Sequence, residues 1–195
     1  MGCDIHLMVE YDVTSAGGRS DLVSEPLRAA PFGPGAVVYA LSCGVIDVVR
    51  NYALFGALAG VRSAGDVSPL IPSRGFPSNC SAAVFAQFHL YVQDRGKDER
   101  LWQHGIWREE AKALVDQGKA VALGVREPGE PEAITNPGYH SASWLTRDEI
   151  LRCLRHADFN PADFCVGFRI VLDALRTLDD EYGAGRSRIV FAFDS

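Results

Sequence analysis

The chain has 195 residues, 47% of them hydrophobic and including ten Phe and three Trp, which suffices for one sizeable core and excludes a disordered segment. Nineteen basic against 25 acidic residues give a formal charge of −6 with no Lys/Arg block, which argues against an extended nucleic-acid partner. No uninterrupted apolar run nears the roughly eighteen residues of a membrane span, and no basic leader precedes one, so the expectation is a cytoplasmic chain with no membrane partner.

Along the chain, Cys3, Ile5, Leu7, Val9, Tyr11 and Val13 alternate with Asp4, His6, Glu10 and Asp12, interrupted only by Met8. This predicts a half-buried strand over 3–13, closed by a turn at 15–18. A short second strand has room at 21–24, and the Pro/Gly density of 28–34 predicts a loop. Val45, Val48, Val49, Tyr52, Phe55 and Leu58 then recur at helical spacing, with Gly60 as the residue that ends the helix. The following stretch, 61–81, has three prolines and several serines and glycines, and predicts a long ordered loop. The run VFAQFHLYV (84–92) suits strand or helix, and the charged RGKDER (95–100) predicts a surface turn. WREEAKALVDQG (107–118) predicts a short amphipathic helix, KAVALGV (119–125) a strand and EPGEPEAITNPG (127–138) another loop. His140 and Ser141 are expected in a loop ahead of a helix opened by Thr146, where T-R-D-E is a capping-box signature. Pro161 is expected at the first position of the last helix, which carries Phe164, Phe168, Val171, Leu172, Leu175 and Leu178 on one stripe and stops by Gly183. RIVFAFDS at 188–195 alternates again. Strands at both ends with helices between predict an α/β or α+β domain, a single mixed sheet covered by helices.

Asp4 and His6 leave one face of their strand about 6–7 Å apart, a spacing that suits two ligands of one metal ion or a base and its partner. Any half-exposed strand shows the same alternation. Ser141, Ser143 and Thr146 precede a helix N-terminus, where an anion can be held by backbone N–H groups. Arg50, Arg62 and Arg74 are candidates for gripping phosphate or carboxylate, and Arg50 can equally pair with Asp47. Asp194 ends an apolar strand and joins Asp4 and His6 if the first and last strands are neighbours. A Ser/His/Asp triad can be written from Ser141 or Ser143 with His6 and Asp4, but no G-x-S-x-G elbow holds the serine. A two-histidine phosphoesterase needs H-x-S/T twice, and HLM, HLY and HSA lack it. His89, His104 and His156 read as locally satisfied. The five cysteines, Cys3, Cys43, Cys80, Cys153 and Cys165, are scattered without a CxxC and read as free thiols.

The blocks MGCDIH, RNYALFGALAGVR, PSRGFPSNCS, NPGYHSASWLT and RIVFAFDS together resemble a widespread, uncharacterised family of small phage and prophage proteins that begin with this hexapeptide. The resemblance covers both ends and three interior blocks. It leaves 82–133 as a family-variable insertion within a single domain, 1–195. It implies a shared site built from Asp4, His6, Arg50, Arg62, Arg74, His140 and Ser141, in the cytoplasm of an infected bacterium; Asn79 and Ser143 are further candidates for ligand binding. Asn79 stands where the family pattern leads one to expect Asp, and Gly138-Tyr139 where it leads one to expect Asp-Trp, which weakens the case for metal-dependent catalysis.

The expectation drawn from these residues is a pocket for a small anionic, nucleotide-like ligand. It is floored by Asp4 and His6, walled by the loop around Arg74 and closed by His140 and Ser141. Its catalytic form is phosphoester hydrolysis assisted by a divalent metal ion on Asp4, His6, His140 and Asp194 that removes a host nucleotide signal, an anti-defence role. The alternatives are a non-catalytic module that sequesters the nucleotide and a factor that docks a host protein. Homo-oligomerisation stays open, since no heptad or apolar stripe demands it.

Overall fold

The computed structural model describes residues 2–13, 27–29, 36–40, 48–62, 68–77, 80–93, 105–122 and 132–194. The expected turns at 15–18 and 95–100, the strand at 21–24 and Asn79 lie outside them. The class is α+β. The expected single sheet is instead two: a five-stranded sheet in the order β2-β3-β1-β8-β7 and a three-stranded sheet in the order β5-β4-β6. The chain divides into two compact units, one made of 1–84 and 141–195, the other of 85–140.

In the first unit, β1 (Ile5–Asp12) and β8 (Ser187–Asp194) run antiparallel with Ile5 opposite Phe193 and Glu10 opposite Arg188. β1 also pairs antiparallel with β3 (Ala36–Ala40), and β3 with β2 (Leu27–Ala29), so part of the expected 28–34 loop is strand. β8 lies between β1 and β7 (Tyr139–Thr146) and is buried on both faces as far as Phe193, which explains its nearly continuous apolar run. The apolar face of β1 (Val9, Tyr11) and of β8 (Ile189, Phe191, Phe193) packs with three helices into one core. These are α1 (Tyr52–Ala59), α4 (Arg147–His156) and α5 (Val166–Tyr182).

Helix α1 begins later than its apolar spacing predicts. Val48 and Val49 precede it, Asn51 caps it by accepting the Leu54 N–H at 3.0 Å, and Gly60 ends it in the left-handed conformation (φ 69°). Thr146 and Glu149 form the expected capping box at the start of α4. The last helix is split: Pro161–Asp163 is a separate 3₁₀ turn capped by Asn160, and α5 starts only at Val166, because the backbone at Phe164 and Cys165 is extended.

In the second unit the ambiguous 84–92 run is both things at once. Helix α2 (Ala82–Phe88) passes directly into strand β4 (His89–Gln93). β4 pairs in parallel with β5 (Gly105–Trp107) and antiparallel with β6 (Ala133–Thr135), a strand inside the expected 127–138 loop. Helix α3 (Arg108–Asp116) matches the predicted amphipathic segment. The strand expected at 119–125 reduces, among the described residues, to one bridge from Ala122 to Ile134. Val92, Ala111, Ala120 and Ile134 make this unit's own small core. Among the described residues no helix is long and apolar enough to cross a membrane.

Candidate functional site

The antiparallel register of β1 and β8 brings Asp194 opposite Asp4 and diagonal to His6, on the polar face of the pair. The residue directly opposite His6 is Ala192, small enough to let the imidazole lean along the strand. His6 Nε2 lies 3.1 Å from Asp194 Oδ2, and the Asp4 backbone N–H donates to Asp194 Oδ1 at 2.8 Å. An ionised carboxylate only accepts, so Nε2 carries the proton of this bond and the neutral imidazole has its lone pair on Nδ1. The bond from His6 and that from the Asp4 N–H hold the Asp194 carboxyl below the usual carboxylate range. The expected union of Asp4, His6 and Asp194 therefore exists, and Asp194 is the hub that orients both.

Asp4 itself is bound by Arg50, which donates from Nε at 2.8 Å and from Nη2 at 2.7 Å, a bidentate fork. That pairing lowers the Asp4 pKa and raises that of Arg50; the alternative partner Asp47 lies outside the described residues. Both side chains are about half exposed, so Asp4 stands at the surface and not on the floor of a cavity. The guanidinium rests against Gly2, where an added Cβ would come within 2.6 Å of its central carbon. Sequence reasoning missed Gly2. The signal is its position two residues before Asp4 on the same face. Arg62, in the turn after α1 at φ 54°, hydrogen-bonds the buried Cys3 thiol. Burial nevertheless raises the Cys3 pKa, which favours the protonated form of a thiol packed in the core.

A second cluster forms around Trp144 on β7. Arg74 donates from Nη1 and Nη2 to the two Glu149 oxygens, lies 4.3 Å over the Trp144 ring, and gives its backbone N–H to Ser143 Oγ at 3.2 Å. Gly75 adds an N–H bond of 3.0 Å to the Ala142 carbonyl. Burial pushes the Glu149 carboxyl up, and the bonds from Arg74 and Thr146 more than offset this, leaving it below its ordinary value. Arg74 thus straps the loop at 68–77 to β7 and to the cap of α4. Trp144 also faces the Arg188 guanidinium at 5.6 Å. Arg188 lies four residues along β8 from Ala192, the residue opposite His6, about 13 Å, so the Trp144 cluster is centred further along the strand pair than the His6 cluster.

The remaining sequence candidates fall elsewhere. His140 and Ser141 lie in strand β7 and not in a loop. Ser141 has φ 50°, and His140 is exposed and belongs to the second unit. The ligand set expected for a divalent ion is arranged here as ion pairs. Both Asp4 oxygens bind Arg50, both Asp194 oxygens bind N–H donors, and among the described residues no three His, Cys, Asp or Glu side chains are grouped as a metal ion needs. These residues do not fit the ion as they stand. Beneath the same strand face, Glu10 and Arg188 form a wholly buried pair, and Asp12 pairs with Arg186. Sequence reading assigned these four no partners. No protein-family model, curated protein or solved structure matches the chain.

Proposed function

We propose that the chain binds a small phosphorylated, nucleotide-like ligand at the joined ends of β1 and β8. The observation that carries this reading is the convergence of the Arg50 fork and the His6–Asp194 pair on one solvent-open strand end. Arg50 is committed to Asp4 only by an exposed ion pair, which water screens and a competing anion can exchange. A phosphoryl group offers the guanidinium the same two parallel oxygens with more charge. Asp4 then acts as a stand-in for the ligand, keeping Arg50 extended over Gly2 until a phosphate takes its place.

The dyad favours a second reading, turnover. A carboxylate-held imidazole can take a proton from water as the water oxygen bonds to phosphorus; the ester P–O bond breaks and the leaving oxygen takes that proton from the imidazolium, which returns to neutral. In the setting that the phage-like sequence blocks imply, either activity would lower a host nucleotide signal in the bacterial cytoplasm. Mass spectrometry of small molecules released from the denatured protein tests the binding. Product assays on cyclic and linear nucleotides, with chelator and with added Mg²⁺, Mn²⁺ or Zn²⁺, test turnover. Bound nucleotide without product in any arm leaves a sequestering module. No nucleotide bound in either experiment refutes the proposal.

A further inference from the structure

The turn from Val49 to Tyr52 has features that the ion-pair site does not use. Val49 adopts φ 46°, a left-handed conformation that a β-branched residue rarely takes and that persists only where its surroundings enforce it. Three contacts flank it. The Val48 carbonyl accepts from the Cys165 thiol at 3.2 Å, Arg50 is forked onto Asp4, and Asn51 caps α1. The turn presents Tyr52, 41% exposed and two residues from Arg50 in the chain. The ring is propped nearly perpendicular to Phe55 (centroids 5.8 Å, 71°), and Phe55 packs on Phe193, the neighbour of Asp194 (5.1 Å, 63°).

We propose that Tyr52 is the specificity-determining residue of the site, an aromatic platform on which the base of a nucleotide stacks while Arg50 takes its phosphate. This rests on the phosphorylated-ligand reading above and narrows it to ligands that carry an aromatic base. A ring already fixed by Phe55 loses little freedom when a base covers it, and stacking tolerates any base because each has a π-face.

The test is calorimetric titration of the full chain with adenosine and uridine monophosphates, ribose 5-phosphate and inorganic phosphate, for wild type, Tyr52→Leu and Tyr52→Trp. The nucleotides should bind wild type about ten-fold more tightly than ribose 5-phosphate. Tyr52→Leu should lose that margin while its ribose 5-phosphate affinity stays unchanged, and Tyr52→Trp should keep it. Equal affinity of wild type for nucleotides and ribose 5-phosphate, or a Tyr52→Leu change shared by all ligands, overturns the platform while leaving the anion site standing. Failure of every phosphate to bind wild type overturns both.

Discussion

Replacing Glu10 by Gln removes one charge from a pair that has no access to water. Glu10 and Arg188 are both 0% exposed. Glu10 Oε2 accepts from Arg188 Nε at 2.7 Å and also from Nη2, while Oε1 accepts the Ser81 N–H. The amide of Gln keeps the shape but turns one acceptor into a donor, so it faces either the guanidinium or the Ser81 N–H donor to donor. It also leaves the Arg188 cation buried beside Trp144 without its counter-charge. Breaking one side of a buried pair costs about 3–5 kcal/mol, and for a chain of this size each kcal/mol is about 2–4 °C, so the unfolding midpoint should fall by roughly 6–20 °C. Urea titration should show the same loss with an unchanged slope, since the surface exposed on unfolding is the same. Glu10→Leu with Arg188→Met should recover only part of it, because the matched apolar pair needs no counter-charge but the buried Ser81 N–H loses its acceptor. A Glu10→Gln protein within about 1 kcal/mol of wild type, a range ordinary for surface changes, would refute the claim that this pair locks the sheet to the segment at Ser81.

Arg74→Ala should destabilise the fold by about 1.5–3 kcal/mol, the scale of hydrogen bonds to a charged partner, and speed proteolysis within 68–77; unchanged stability would remove its role as a strap. Asp4, Asp194 and Glu149 all have depressed pKa values in the folded state. The unfolded values are about 3.9 for Asp and 4.3 for Glu, so their contribution is complete above about pH 5 and is lost as pH falls below about 4 through the folded values. Thermal midpoints should therefore drop between pH 4 and 2, less steeply in Asp194→Asn; an identical slope in that variant would show that Asp194 gains nothing from His6 and Asp4.

The two terminal strands were legible because β1 alternates apart from Met8 and β8 is a short apolar run bounded by polar residues, and their pairing is what converts Asp4, His6 and Asp194 from three separate polar residues into one cluster. The caps at Asn51 and Gly60 and at Thr146 and Glu149 are local chemistry, but only the second was read in full, because the apolar spacing continued through Val48 and Val49 and hid the start of α1. In the second unit β5 and β6 escaped notice because they are three residues each, shorter than an alternation can reveal. β7 was read as a loop since its serines and exposed His140 mask the buried Ser143 and Leu145 beneath. Arg74 looked like a ligand-binding arginine because sequence spacing gives no hint of Glu149, 75 residues away, whereas the geometry commits it to the strap.

The most direct test of the strand-end site is titration of nucleoside monophosphates and cyclic nucleotides into wild type and Arg50→Gln, with the His6 ring nitrogens followed by NMR. Binding by wild type should shift the His6 signals, and Arg50→Gln should weaken that binding at least ten-fold, the loss of a charge-assisted bidentate contact. Binding that leaves His6 untouched, or that survives Arg50→Gln at full strength, would place the ligand elsewhere and contradict the account.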